Sequence, residues 1–481
     1  MTAQPAPAQC TLLQWLILIK NPIFARKKIK RNCSLSQATS RRRPSSSSSS
    51  KLFSRLQSSQ FTLFIFTAAK MWDNLPTEIS SDILHRLGVK TLIKCTILSK
   101  SFLSLITSRD FISTHIAKHT NSQLLLRYFT LDKKEIYHFE PDDDTFSGFQ
   151  SQGLLIPFSN HNDCFTVAGC VNGVLCLVND FGGYEGTLII LWNPSIGKFV
   201  HVPQPIMVFQ THGPYQSACG FGFDSILDDY KVVRIVDLDS AYWRNPETTE
   251  PPTQVEVFSL KTGCWRVIGD GPSYLIKRHD SEYKGYIPCF SNGSVYWVGY
   301  HLSGPNKNVI LKFDMFTETF EIIQVPEILI EEEDESTFTR PMDLYVQDCK
   351  GNLTLIKRNY NNAIKTCSVW LMKEDGVAKS WTKMFDFDIA KLYPCDMPRA
   401  FGFRKNGEVI MLRGGFNIHS YRGSNNVVTS TDLVTHDDTA LREIRVDCVT
   451  FYLSTSYVES MVLFKEGKGI GEQTTQLVLP E

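Results

Sequence analysis

Few side chains in this sequence are spaced for chemistry. His115 and His119 stand four apart on a helix-like stretch, a spacing with which two imidazoles can share a zinc ion. No HExxH glutamate accompanies them and no third ligand is evident, so the pair reads as surface histidines. Lys261-Thr262-Gly263 has the letters of a β-lactamase box without its companion motifs. Gly220-Phe221-Gly222-Phe223 lacks the third glycine and the following helix of a dinucleotide fingerprint. It reads instead as glycines that let strands pack closely. There is no GxSxG elbow and no Walker loop. Thirteen cysteines are scattered with no CxxC pair, which argues against a zinc or thioredoxin-like module. Cys164, Cys170 and Cys176 fall in strand-like sequence and are expected as buried free thiols. Such usage suits the reducing cytosol or nucleus. Thus no catalytic set, metal or cofactor is predicted.

The remaining candidates are binding residues. Acidic runs at 142–144 and 331–335 read as solvated loops, or as a salt-sensitive patch for a basic segment. Trp243, Tyr283, Tyr286 and Tyr300 fall near loops, where such aromatics serve as binding hot spots or simply pack into a core. Charge narrows the partners. Residues 1–70 hold twelve of the 50 Lys and Arg and none of the 50 Asp and Glu. The rest of the chain therefore carries 38 basic and 50 acidic residues. An acidic body argues against nucleic acid, and apolar runs at 16–19 and 61–66 are too short to span a membrane.

The elements that must position any site begin near Met71. Residues 1–70 mix basic clusters, short apolar runs and the serine tract 45–50. They resemble a transit peptide or a disordered low-complexity leader. The reading preferred here takes Met71 as the biological start, with 1–70 as a non-native extension. From 71 to 119 the pattern is helical. Pro76 suits a first turn, Glu78 faces the positive end of a helix dipole, and Ile79, Ile83, Leu84 and Leu87 recur on one face. Gly88 is expected to end that helix in a left-handed conformation. Two short segments follow, carrying Val89, Leu92 and Ile93, then Leu98, Phe102, Leu105 and Ile106, before Phe111 and Ile112 close the unit. Three short helices bury little surface, so apolar residues left over imply a partner.

The runs Leu-Pro-Thr-Glu-Ile (75–79), Asp-Ile-Leu-His-Arg-Leu-Gly-Val-Lys-Thr-Leu-Ile-Lys-Cys (82–95), Leu-Ser-Lys-Ser-Phe (98–102) and Leu-Ile (105–106) resemble an F-box. Gly88 stands where that family usually has Pro, and Phe102 where it usually has Trp. The resemblance implies docking on a Skp-family adaptor and, through it, on a cullin–RING ubiquitin ligase. It implies that Leu75, Pro76, Ile79, Leu84, Leu87, Leu92, Leu98 and Phe102 form the adaptor face or the core just behind it.

Beyond residue 120 the pattern turns to short β-prone runs broken by Gly, Asn, Asp and Pro. Asn172-Gly, Asn292-Gly, Gly351-Asn and Asn406-Gly each lead into an apolar strand, and Asn-Gly favours a type I′ hairpin. Between them lie hairpins with an aromatic on each arm: Trp192…Phe199, Phe258…Trp265, Phe313…Phe320 and a longer Trp370…Trp381. A degenerate last copy is expected over Thr431…Leu441. The copies recur about every 60 residues, enough for four strands each, which is the mark of propeller blades. Residues 124–139 look like part of an extra first blade. The predicted architecture is α+β: a three-helix F-box (71–119), an all-β propeller of about six blades (120–465) and a flexible tail (466–481). A β-sandwich with long insertions is the alternative. The order Asn172-Gly-Val-Leu-Cys-Leu, Trp192-Asn-Pro-Ser-Ile-Gly-Lys, Gly220-Phe-Gly-Phe-Asp-Ser, Asp228-Asp-Tyr-Lys-Val-Val-Arg and Val255-Glu-Val-Phe-Ser-Leu-Lys-Thr-Gly-Cys-Trp resembles the plant F-box-associated domain, related to kelch-type propellers. That resemblance implies a non-catalytic substrate receptor of an SCF ubiquitin ligase, which holds a target protein for ubiquitination and degradation. The alternatives are a propeller enzyme and a scaffold that recruits the adaptor without degradation.

Overall fold

The structure is a computed structural model. It describes residues 76–118 and 123–469, apart from 130–133, 143–152, 157–164, 181–185, 239–252, 273, 277–287, 301–307, 330–343, 361–364, 374–380, 389–398, 414–416, 422–441, 446–449, 464 and 466–467. The chain divides after Lys118 into two compact units.

The first unit is helical. Helix α1 spans Thr77–His85, α2 Val89–Thr96, α3 Lys100–Ile106 and α4 Arg109–Lys118. Three helices were expected; α4 is the addition, and it carries Phe111 and His115 inward. Pro76 stands just before α1 at φ −52° and ψ 142°, the extended conformation that proline favours. Ser99 caps α3 by accepting a hydrogen bond from the Phe102 amide at 3.1 Å, so one of the helix's orphan donors is met. Gly88 departs from expectation. It sits at φ −69° and ψ 156° as the N-cap of α2, and its carbonyl accepts from the Thr91 and Leu92 amides. The chain turns without a left-handed residue here because α1 already ends at Arg86 in the right-handed region.

The described strands of the second unit form six sheets. In chain order, blade 1 contains Gln123–Phe129, Glu135–Pro141 and Leu154–Leu155. Blade 2 contains Thr166–Val171, Val174–Asn179, Leu188–Asn193 and Lys198–Val202. Blade 3 contains Tyr215–Asp224, Asp229–Leu238, Thr253–Ser259 and Cys264–Asp270. Blade 4 contains Cys289–Ser291, Ser294–Tyr300, Asn308–Asp314 and Phe320–Gln324, with Leu275–Ile276 paired beside them. Blade 5 contains Leu344–Cys349, Asn352–Tyr360, Lys365–Met372 and Trp381–Asp388. Blade 6 contains Arg399–Phe403, Val409–Arg413, Asn417–Tyr421 and Arg442–Arg445. Every pairing is antiparallel, and the first strands of successive blades neighbour one another around the centre. The returning strand Thr450–Tyr457 pairs with Gln123–Phe129 as the innermost strand of blade 1. Sequence from both ends of the unit thus closes one β-propeller, which removes the open edge of a sheet that would otherwise invite pairing. Lys468–Gly469 then adds to the outer strand of blade 2.

The repeated sequence elements map onto the blades. In blades 2, 3 and 4 the aromatic pairs sit directly opposite one another on the third and fourth strands: Trp192 with Phe199, Phe258 with Trp265, Phe313 with Phe320. Blade 5 breaks the rule. Trp370 pairs with Lys383 and Trp381 with Met372, because the connection between the two strands is longer than in blades 2, 3 and 4; a bulge between Val369 and Trp370 shifts the register only beyond these pairs. The turns between first and second strands use two positive φ values at Asn172-Gly173, Asn292-Gly293 and Lys350-Gly351. The blade 5 turn is therefore Lys350-Gly351 rather than Gly351-Asn352. At Asn406-Gly407 only Gly407 has positive φ. The degenerate copy expected over 431–441 lies outside the described residues.

Candidate functional site

In the helical unit, packing sorts the apolar residues into two sets. Leu84, Leu87, Val89, Leu92, Cys95, Phe102, Ile106 and Phe111 are buried and make the core. His115 joins them. The expectation of a surface histidine fails at this position: its Nε2 donates to the Leu87 carbonyl at 2.9 Å, meeting an acceptor just past the end of α1. Phe111 stacks on His85 with ring centroids 4.1 Å apart, so α4 is locked onto α1. The second set faces outward. Ile79 is 49% exposed, Ile97 82% and Leu103 39%, against the usual tendency of large aliphatics. Burial pushes the Cys95 thiol up to about 11, so it remains a protonated core group.

The propeller presents the reverse case, with charged groups taken inside. Arg234 lies between two carboxylates. Its Nε donates to Asp180 Oδ2 at 2.9 Å and its Nη1 to Glu256 Oε1 at 2.5 Å and to the Met207 carbonyl at 2.9 Å. The guanidinium lies 4.8 Å from the Tyr215 ring centroid. Asp180 also accepts from the hydroxyls of Thr187, Tyr215 and Ser217, and Glu256 from the amides of Ile206 and Met207. Burial works against the Arg234 charge, but Asp180 foremost, with Glu256, more than offsets it. This cluster ties blade 2 to blade 3. Lys231 ties blade 3 to blade 4: its Nζ donates to Asp224 at 2.7 Å, to the Met315 carbonyl at 2.6 Å and to Glu318 at 2.9 Å. Burial would raise the Asp224 carboxyl, yet the Leu227 amide and Lys231 together hold it below its ordinary value. Arg404 ties blade 6 to blade 1, donating to Asp142 and Glu408 at 2.9 and 2.8 Å. Arg127 donates to Glu135 within blade 1 and to the Phe165 carbonyl where blade 2 begins. Asn193 donates to the Ser460 and Val462 carbonyls at 3.1 and 2.9 Å, fastening the segment beyond the closing strand to blade 2. Most donors and acceptors within these staples are matched; Glu135 Oε2 and Arg234 Nη2 make no hydrogen bond, the latter lying 2.9 Å from Asp180 Oδ2 as an ion pair. Such largely satisfied clusters suit a rigid frame.

Other candidates from the sequence resolve in the same direction. Gly220 and Gly222 permit close packing: a Cβ on Gly220 would overlap the Trp297 ring and lie 2.7 Å from Val295 Cγ1. Lys261-Thr262-Gly263 forms a hairpin turn, with the Lys261 amide bonded to Asp229 at 2.9 Å. Asp142, expected in a solvated loop, is buried, because Arg404 partners it. Burial pushes the Cys170 thiol up to about 12 and Cys176 also upward. Tyr300 is half-buried at a strand end. His119, Cys164, Trp243, Tyr283, Tyr286 and residues 143–144 and 331–335 lie outside the described residues. Among the described residues, no three His, Cys, Asp or Glu side chains gather as a metal site would require, and no helix is long and apolar enough to cross a membrane.

Comparison with known proteins places both units. A family model described as the F-box associated beta propeller domain matches residues 123–444, and an F-box domain model matches residues 72–114. This chain belongs to the F-box-associated β-propeller family. Among its relatives, F-box protein CPR1 of Arabidopsis thaliana is 28% identical over 82% of this chain and 90% of its own length. F-box protein At4g22390 of the same plant is 28% identical over 64% and 73%. Among solved structures, TolB from Acinetobacter baumannii superposes with a TM-score of 0.38 at 9% identity, over 73% of this chain and 72% of that one, too loosely to bear on the argument.

Within the F-box, the eight residues singled out from the sequence separate. Leu84, Leu87, Leu92 and Phe102 are core, Leu98 is half-buried, and Pro76 and Ile79 are exposed. Leu75 lies outside the described residues. Ile97 and Leu103, exposed on the next two helices, were not singled out because their spacing continues the helical pattern of the core. In the F-box-associated propeller, the staples centred on Lys231 and Arg234 were also missed. Their signal is present: Asp-Tyr-Lys-Val-Val-Arg-Ile-Val sets two cations inside an apolar strand, which only buried partners make tolerable.

Proposed function

We propose that this chain is the substrate-recognition subunit of an SCF-type ubiquitin ligase. The observation that carries the reading is the union, in one chain, of an F-box with outward-facing aliphatics and a closed F-box-associated propeller. The F-box docks on a Skp-type adaptor, which links it to a cullin and a RING subunit. The propeller holds a target protein. No residue of the chain performs bond chemistry in this scheme. Its contribution is proximity: a bound target presents its lysines at high effective concentration to the charged conjugating enzyme. A frame stapled between blades suits that role, because a rigid receptor loses less entropy on binding. The work would take place in the cytosol or nucleus.

Co-purification tests the reading. The full chain should capture a purified Skp-type adaptor, and Leu75→Ala with Pro76→Ala should abolish capture while the propeller's melting transition stays in place. Target proteins should then accumulate on the wild-type chain when the proteasome is inhibited. Undiminished capture by the double variant would overturn the assignment of the adaptor face.

A further inference from the structure

We infer that blade 2 carries a peptide-binding site on the face formed by its hairpin turns, and that residues 458–463 fill it in cis as a latch on the closed ring. This segment follows the closing strand Thr450–Tyr457 and leads toward Lys468–Gly469 on the outer edge of blade 2. It is neither helix nor strand. Even so, Ser460, Met461, Val462 and Leu463 are all buried. Burial of three consecutive apolar side chains is the chief gain open to such a stretch, as it is to a bound peptide.

Two features of blade 2 are shaped for it. The first is the turn at Asn172-Gly173. The corresponding glycines of blades 4 and 5, Gly293 and Gly351, face open space where a Cβ would stand. A Cβ on Gly173 would lie 2.4 Å from the Val458 carbonyl oxygen and 2.7 Å from Ser460 Oγ, so the segment rests directly on this turn. The second feature is Asn193, buried at the end of its strand. Ser259 and Asp314 end the matching strands of blades 3 and 4, and their side chains serve their own blades. Ser259 Oγ donates to Asp229 and accepts from the Thr262 amide, and Asp314 accepts from the Phe316 and Thr317 amides. Asn193 also closes its own turn, its Oδ1 accepting from the Ser195 amide at 3.0 Å. Its Nδ2 then donates to the Ser460 carbonyl and hydroxyl, both at 3.1 Å, and to the Val462 carbonyl at 2.9 Å. A carboxylate has no donor and a hydroxyl has one; a side-chain amide accepts from the turn and still has two hydrogens for the segment. The Ser195 hydroxyl bonds that of Tyr457, where the segment begins. The ring is therefore sealed twice: by the pairing of Thr450–Tyr457 with Gln123–Phe129, and by the segment seated on blade 2. Release of the second seal bares the site while blades 3 to 5 keep their own pairing.

Hydrogen exchange of the full chain tests the latch. Asn193→Asp keeps an acceptor for the Ser195 amide and turns a carboxylate toward the two carbonyls. Exchange at residues 458–463 should quicken at least about tenfold, with blades 3 to 5 unchanged. Unchanged exchange of the segment would overturn the inference. Equal quickening in every blade would overturn it too, since the segment would then be part of one cooperative core. A second variant, Met461→Glu with Leu463→Glu, unseats the segment and leaves the residues of blade 2 as they are. A fluorescent synthetic peptide with the sequence of residues 456–465 should bind this variant saturably. It should bind the wild-type chain at least about tenfold more weakly, because there the tethered segment competes at high effective concentration. If the variant loses its melting transition, the peptide should restore it. A peptide that neither binds nor restores the transition would overturn the inference.

Discussion

In the F-box, Ile79, Ile97 and Leu103 stand in solvent; in the propeller, Arg127, Arg234 and Arg404 are withdrawn from it. Both units leave aliphatics in solvent, Ile226 of the propeller at 68% among them, but among the described residues buried Lys, Arg, Asp and Glu occur only in the larger unit, and that difference follows from size. A unit of four short helices has too little interior to cover all its aliphatics, and a surface of that kind calls for a partner. The ring has interior to spare, so it can enclose a guanidinium, provided each charge meets opposite charge and hydrogen-bond acceptors at once. The lesson is that burial in this protein tracks the completeness of partners, not the polarity of the side chain.

The strongest way to break that comparison is to unmake a staple. Arg234→Ala leaves Asp180 and Glu256 buried without their counter-charge and should cost roughly 3–5 kcal/mol of propeller stability. Chemical denaturation followed by tryptophan fluorescence would measure it. A loss below about 1 kcal/mol would mean that the cluster is better hydrated than its burial indicates. Next in size is overpacking: Gly220→Ala places a methyl against Trp297 and Val295 and should cost about 1–3 kcal/mol, read as a lower melting temperature. The smallest effect sharpens the F-box side. Gly88 already has a φ of −69° and open space where a Cβ would stand. Gly88→Pro should therefore stabilise the helical unit by about 0.4–1 kcal/mol through the unfolded chain. Destabilisation instead would show that the turn into α2 needs the Gly88 amide or glycine's freedom.

Much of this was legible from residue patterns. The two positive-φ positions at Asn172-Gly173 and Asn292-Gly293 follow from Asn-Gly itself, because few residue pairs adopt a type I′ turn readily. The aromatic hairpins marked the third and fourth strands of three blades, and their spacing marked the ring. The same pattern misled in blade 5, where Trp370 and Trp381 are both present but unpaired with each other. The longer connection between these strands puts Met372, not Trp370, opposite Trp381, and the aromatic spacing does not record where the turn falls. His115 was misplaced because a histidine on an amphipathic helix looks the same whether it meets water or a carbonyl twenty-eight residues away.

Local sequence thus determined what depends on neighbours in the chain: helix faces, hairpin turns, the blade repeat, and so the family. Only the tertiary structure decided which of the eight F-box residues support the core and which meet solvent. It alone brought Thr450–Tyr457 back to Gln123–Phe129 and set Arg234 between Asp180 and Glu256. Periodicity records that a residue is apolar or charged. Whether that residue is covered, and by what, depends on surfaces contributed from distant parts of the chain.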